Sequence, residues 1–284
     1  MNVQIVTDGN STSGFGHLRR SATLSWKLKH CGHKVCVVKA STDHDQVMPK
    51  VPMDDGHPDL IVIDLPDDGD SWIDRDKYPT TKYLGLDYSG SIPPDAIVSI
   101  IDRHKSPKCL NRFSGLKYAI IREDVLKISS KIDGKGIVVC IGGSDQLKIG
   151  AQISSLLANE FKDVTLIEGP MVQLPLEQSD KFQVFQNPDD FAHRIARCSW
   201  AVTNGGSLMM EMMCMGKAVH VIPQTPQEEE LANFVYSQGG ILGVGNKDLT
   251  PPDTDHMQRV SQNAQKLVDG LGLDRIVNII ESLH

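Results

Sequence analysis

The chain has 284 residues, 40% of them hydrophobic, with 24 glycines. This composition excludes a disordered chain, and the length suits about two domains of ~150 residues, each able to bury a core. Lys and Arg number 29 against 36 Asp and Glu, a net charge of −7, which argues against a dedicated nucleic-acid binder.

No apolar stretch approaches the ~18 residues needed to span a bilayer, so no stable membrane insertion is expected. The opening Met1-Asn2-Val3-Gln4-Ile5-Val6 has no basic n-region and runs straight into a strand pattern, unlike a signal peptide. The six cysteines, Cys31, Cys36, Cys109, Cys140, Cys198 and Cys214, form no C-x-x-C pair and several sit in apolar runs. They read as buried thiols of a cytoplasmic protein, not as a disulfide or zinc framework.

In chain order, strands are predicted at 3–7, 34–39, 60–64, 82–86 and 97–101, then at 136–141, 164–168, 182–185, 200–203 and 218–222. Near-continuous runs such as Ile137-Val138-Val139-Cys140-Ile141 suit parallel strands buried on both faces. Helices are predicted at 17–30, 147–160, 207–215 and 228–238, with closing helices at 257–268 and 274–282. Strand–helix alternation in both halves gives two α/β domains. The boundaries read as 1–122, a packed connector over 123–135, and 136–284. On the first helix, Leu18, Ala22 and Trp26 share one apolar side and Leu24 and Leu28 another.

Three loops at strand carboxyl ends could carry chemistry. The first runs from Asp8 to Arg20. Gly14 and Gly16 permit close backbone approach, and the helix opening at His17 favours anions. It lacks the third glycine of a dinucleotide fingerprint, where Arg19 stands, and contains no P-loop. The positive end of the helix dipole disfavours an imidazolium, so His17 reads either as a neutral general base or as a capping histidine. The second loop is Asn204-Gly205-Gly206-Ser207, with Ser207 as N-cap of a helix apolar except for Glu211. Glu211 reads either as an acceptor for vicinal hydroxyls of a ligand or as half of a buried salt bridge. The third, Gly142-Gly143-Ser144-Asp145, could cradle a diphosphate with its amides.

Other motifs carry less. Asp43-His44-Asp45 and Asp74-Arg75-Asp76 read as solvated loops before metal sites, and Asp67-Asp68-Gly69-Asp70 as a turn. Glu228-Glu229-Glu230 after Pro226 fits an acidic first helical turn without function.

The Gly14-Phe15-Gly16-His17-Leu18-Arg19-Arg20 opening resembles the nucleotide-sugar hydrolases of pseudaminic acid biosynthesis. That family cleaves UDP from UDP-2,4-diacetamido-2,4,6-trideoxy-β-L-altropyranose. Tyr118-Ala119-Ile120-Ile121-Arg122-Glu123 looks like the family's inter-domain segment, and Gly142–Asp145 and Asn204–Ser207 with Glu211 look like its two glycine loops. The likeness runs from residue 1 to about 245. It implies a GT-B-like fold of two Rossmann-like domains, with a site in the cleft between them, similar to the N-acetylglucosaminyltransferase of peptidoglycan synthesis and to spore-coat polysaccharide proteins. It also implies His17 as base, with Gly14, Gly16, Arg20, Arg122, Gly143, Ser144, Asp145, Gly206, Ser207 and Glu211 holding a UDP-sugar. No metal and no cofactor are implied, and a cytoplasmic monomer is expected. A glycosyltransferase on the same site and a non-catalytic nucleotide-sugar-binding module are the alternatives.

Overall fold

The computed structural model describes residues 1–9, 16–40, 57–66, 69–102, 108–128, 134–145, 148–172, 179–245, 249 and 252–284. Two compact units emerge: Met1–Ile120 with Gly270–His284, and Ile121–Asp269.

The first unit is built on β1 (Asn2–Thr7), α1 (Gly16–His30), β2 (Lys34–Lys39), β3 (Leu60–Asp64), β4 (Lys82–Leu86), β5 (Ala96–Ser99) and β6 (Asn111–Ser114). The strands form a parallel sheet in the order β2-β1-β3-β4-β5-β6. After β1 the chain turns one way to β2, then crosses to place β3 on the other side. Doubly wound sheets bind ligands at such a reversal, here beyond the carboxyl ends of β1 and β3. The buried side of α1 carries Leu18, Ser21, Leu24, Ser25 and Leu28. Trp26 lies off this face and stacks on His30 at 4.0 Å between centroids.

The second unit comprises α2 (Glu123–Leu126), β7 (Ile137–Cys140), α3 (Ile149–Leu157), β8 (Val164–Glu168), β9 (Gln183–Gln186), α4 (Phe191–Arg197), β10 (Trp200–Thr203), α5 (Ser207–Cys214), β11 (Ala218–Val221), α6 (Pro226–Ser237), β12 (Gly243–Val244) and α7 (Thr254–Leu267). Its sheet is also parallel, in the order β12-β11-β10-β7-β8-β9. The strand order reverses between β7 and β10, so the two glycine loops that follow them are neighbours.

The last helix, α8 (Gly272–Ser282), corrects the domain reading. The sequence groups it with residues 136–284, yet Leu273, Ile276, Val277, Ile279 and Ile280 join the apolar cluster of Val3, Ile5, Leu24, Leu28 and Leu84 in the first unit. Gly272 packs so closely that a Cβ there would stand 2.2 Å from the Ala119 carbonyl oxygen. Amphipathic spacing shows that a helix must bury a face, but not which sheet it covers. The strands β6 and β12 and the short α4 escaped the sequence reading because none has an apolar run long enough to show a period. None of the six cysteines is in a disulfide: Cys109, Cys140 and Cys198 are buried as expected, whereas Cys31 is exposed.

Ile280 is fully buried in the α8 contact. Ile280→Ala should destabilise the first unit by about 2–5 kcal/mol, the usual cost of such a core cavity. Urea unfolding checks this, and an unchanged midpoint would contradict the α8 docking.

Candidate active site

At the reversal of the first sheet, β3 ends on Asp64, whose side chain is 0% exposed. Three residues of α1 converge on it. His17 Nδ1 lies 2.7 Å from Asp64 Oδ1. Arg20 donates to the same oxygen through Nε at 2.8 Å and Nη2 at 2.5 Å. Ser21 Oγ donates to Oδ2 at 2.7 Å. Positions 17, 20 and 21 have the i, i+3, i+4 spacing that shares one helical face. Burial pushes the Asp64 carboxyl upward, but the Arg20 charge and the bonds from His17 and Arg20 outweigh it and hold the pKa at about 2.

Arg20 also donates through Nη1 to Asp87 Oδ2 at 2.5 Å. Burial works against the Arg20 charge, yet the two carboxylates raise its pKa above the ordinary arginine value. Asp87 follows β4 with φ of 51°, a left-handed conformation that aspartate tolerates better than most side chains. A glycine there would be relaxed but would supply no carboxylate, and Asp87 Oδ1 also accepts from the Ile100 amide at 3.0 Å. Arg20, expected among the substrate contacts, therefore directs its guanidinium at Asp64 and Asp87. His17 keeps a 22% exposed side chain at the start of α1. Gly16 is the first residue of that helix. Gly14 lies outside the described residues, as does Asp43-His44-Asp45.

The loops beyond β3 and β4 are tied together by Asp70. Its carboxylate accepts from the Ser91 amide at 2.9 Å, Ser91 Oγ at 2.6 Å, the Ile92 amide at 3.0 Å and the Tyr88 hydroxyl. Burial raises the Asp70 pKa, but these bonds, those of Ser91 and Tyr88 first, together outweigh it and bring it down to about 2. Asp74 Oδ1 accepts from the Lys77 amide at 2.8 Å, as a turn residue does. Among the described residues, no group of three His, Cys, Asp or Glu side chains could hold a metal ion.

In the second unit, the loops after β7 and β10 meet: a Cβ on Gly142 would stand 3.0 Å from Asn204 Nδ2. Asp145, expected to touch substrate, spends both carboxylate oxygens on the start of α3. It accepts from the Ile149 amide at 2.9 Å and the Gly150 amide at 2.6 Å. The Gly143 carbonyl accepts from the Met171 amide at 3.0 Å, and Ser144 is half-buried beside it. At α5 the N-cap is Gly206, not Ser207, and no side chain caps the first turn. The Met209 amide donates to the Gly206 carbonyl at 3.1 Å, which leaves the amides of Ser207 and Leu208 to an outside acceptor. Glu228, read from the sequence as part of a functionless acidic run, supports this loop. It accepts from Asn204 Nδ2 at 2.5 Å and from the Gln224 amide at 2.7 Å.

Glu211 is 8% exposed and lies 3.3 Å from Arg122 Nε. The salt-bridge alternative for Glu211 is thus the arrangement seen, and its partner is another expected site residue. Arg122 Nε also lies 3.3 Å from Asp124 Oδ1, and the guanidinium sits 5.3 Å from the Phe191 ring centre. Neither Nε nor the buried Nη2 makes an aligned hydrogen bond. The contact is therefore Coulombic, without the hydrogen-bond geometry of a forked arginine–carboxylate pair.

No family model matches the chain. It is 24% identical over 176 residues to the spore coat polysaccharide biosynthesis protein SpsG of Bacillus subtilis, covering 54% of this chain and 52% of that protein. An uncharacterised protein of Methanocaldococcus jannaschii is 22% identical over 276 residues, covering 81% of this chain and 57% of that protein. The chain thus spans about half the length of the curated relatives it matches. Among solved structures it is similar to MurG of Acinetobacter baumannii, with a TM-score of 0.66 and 12% identity over 99% of both chains. It is similar to the glycosyltransferase SnogD of Streptomyces nogalater, with a TM-score of 0.59 and 14% identity over 98% of this chain and 99% of that one. It is also similar to MnaA of S. aureus, solved with UDP, with a TM-score of 0.62 and 14% identity over 99% and 96% of the two chains. The fold is that of the GT-B glycosyltransferases, two Rossmann-like domains.

The two depressed carboxylates set an acid limit. Asp64 and Asp70 have folded pKa values of about 2 against an ordinary 3.8. Each contributes stability above ~3.8 that is lost as pH falls toward ~2. Thermal melts should show Tm falling through this window, with a shallower fall in Asp70→Asn. A Tm independent of pH there would contradict the bonding described.

Proposed function

We propose that the chain hydrolyses a UDP-linked amino-deoxy sugar at its anomeric carbon, releasing UDP and the free sugar, as the hydrolases it resembles do. The observation that carries this reading is His17, partly exposed at the strand-order reversal of the first sheet and bound on its inner side to buried Asp64. The uncapped first turn of α5 and the carboxylate of Glu211 lie at the corresponding place in the second unit.

In this reading, His17 takes a proton from water as the water oxygen attacks the anomeric carbon. The bond from that carbon to the diphosphate oxygen breaks, and the configuration inverts in a single displacement. The amides opening α5 stabilise the negative charge that grows on the leaving UDP. Glu211 accepts hydrogen bonds from the ribose hydroxyls, exchanging its contact with Arg122, which then faces the substrate. A diphosphate is a good leaving group, so no second carboxylate of the ordinary glycosidase kind is required. The second reading is a glycosyltransferase in polysaccharide biosynthesis, with an acceptor hydroxyl in place of water. The relative SpsG and the glycosyltransferase SnogD favour it.

Incubating the protein with a panel of UDP-sugars, with and without candidate acceptors, separates the two. Hydrolysis gives UDP without acceptor and places ¹⁸O from labelled water in the sugar; label in UDP would mean attack at phosphorus and overturn the mechanism. Dependence of UDP release on an acceptor would establish the transferase.

His17→Asn should lower kcat by about 10²–10⁴, the usual worth of a general base, with KM nearly unchanged. Near-normal turnover in the folded variant would remove His17 from the chemistry. Glu211→Ala should weaken UDP binding by roughly 1.5–3 kcal/mol in calorimetry. Unchanged affinity in a folded variant would leave Glu211 only its pairing with Arg122.

A further inference from the structure

His17 Nδ1 faces two groups that ask opposite things of it. Asp64 Oδ1 at 2.7 Å is an acceptor, and Arg20 Nη2 at 3.2 Å is a donor. If Nδ1 carried no proton, it would accept from Arg20 and set a lone pair against a buried anion. If it carries the proton, it donates to that anion over the shorter distance. Arg20 loses little by this, because its Nε, Nη2 and Nη1 already donate to Asp64 and Asp87. Asp64 is held ionised and can only accept.

We infer that Asp64 is a positioning residue that fixes His17 as the Nδ1–H tautomer and leaves the Nε2 lone pair as the proton acceptor of the site. The inference rests on the reading of His17 as the base and supplies what that reading lacked, the nitrogen that acts and the group that selects it. As the nucleophile attacks, its proton goes to Nε2. The Nδ1–H bond to Asp64 persists, and the ring becomes an imidazolium beside a carboxylate. Asp64 itself stays unprotonated, and the proton leaves Nε2 for solvent after the products depart. With His17 neutral, two carboxylates and one guanidinium leave the cluster one net negative charge, so the proton that His17 takes neutralises it.

The assembly is held from several sides. Ser21 occupies the second oxygen of Asp64, so the carboxylate cannot rotate without breaking that bond. Arg20 is fixed in turn by Asp87, which the Ile100 amide anchors to the end of β5. The elements α1, β3, β4 and β5 thus meet through one chain of alternating charges. Arg20 acts here as a strut for Asp64.

The most direct test needs no substrate. Long-range ¹H–¹⁵N correlation spectra of the ¹⁵N-labelled protein, with His17→Asn to assign the ring, report which nitrogen is protonated in the neutral form. The proposal requires Nδ1–H. A ring protonated on Nε2, with Nδ1 accepting from Arg20, would overturn it. Kinetics supply the second arm, using the UDP-sugar that wild-type protein turns over fastest. Asp64→Asn should lower kcat by about 10²–10⁴, close to the loss in His17→Asn, with UDP affinity within about twofold of wild type. Because Asp64→Asn removes a buried charge and risks misfolding, Ser21→Ala gives a milder variant. It should lower kcat about 3–10-fold, the worth of one net hydrogen bond, at unchanged KM. Wild-type kcat in folded Asp64→Asn or Ser21→Ala, with His17→Asn inactive, would overturn the positioning role and leave the base standing. Full activity in His17→Asn would instead overturn the base.

Discussion

A carboxylate with no exposed surface cannot stand alone inside a protein. The cost of stripping water from it is several kcal/mol, and it is met only by donors brought in at close range. Asp64 imposes that demand at the carboxyl end of β3, and the start of α1 answers it with His17, Arg20 and Ser21 on one face. The same stripe continues down the helix as Leu24, Ser25 and Leu28, against the sheet. One helical face therefore does two jobs: its apolar part sets the angle of α1 over the sheet, and its polar first turn closes on Asp64. The ring of His17 is placed by this packing and keeps a 22% exposed side chain.

The second unit answers a different constraint. Helices α3, α5 and α6 follow strands β7, β10 and β11, and the first-turn amides of each need acceptors. Asp145 supplies them at α3 and Thr225 at α6, whereas α5 begins at a glycine. Glu228 fixes the loop that leads into α5 without touching those amides itself. The opening amides of α3 are thus spent on the Asp145 carboxylate, whereas α5 has no side-chain cap. The nucleotide platform proposed here is correspondingly narrower than the sequence motifs suggested, resting on α5 and Glu211.

Much of this was legible in the sequence. The three glycine loops follow Val- and Ile-rich runs that suit buried parallel strands, and His17 stands out at a helix start. What stayed hidden depended on strand order, which no local pattern encodes. Asp64 ended the run Leu60-Ile61-Val62-Ile63, and a lone charge closing so apolar a strand was a signal of burial, but its partners sit 43 to 47 positions away. The polar spacing of His17, Arg20 and Ser21 does not show in the apolar periodicity of the helix, and that periodicity alone does not tell that Trp26 lies off the buried face. Asp87 gave no sign, since its left-handed backbone appears only in three dimensions. For α8, the amphipathic pattern was plain and the sheet it covers was not.

On the proposed reading, base chemistry belongs to the strand-order reversal of the first unit and diphosphate binding to that of the second. A crystal structure of the protein with UDP tests it most directly. The account predicts the diphosphate oxygens on the amides of Gly206, Ser207 and Leu208, with the ribose hydroxyls on Glu211 and Arg122 drawn away from that carboxylate. A diphosphate seated on the Gly142–Asp145 loop, or on the first unit beside His17 and Arg20, would contradict it.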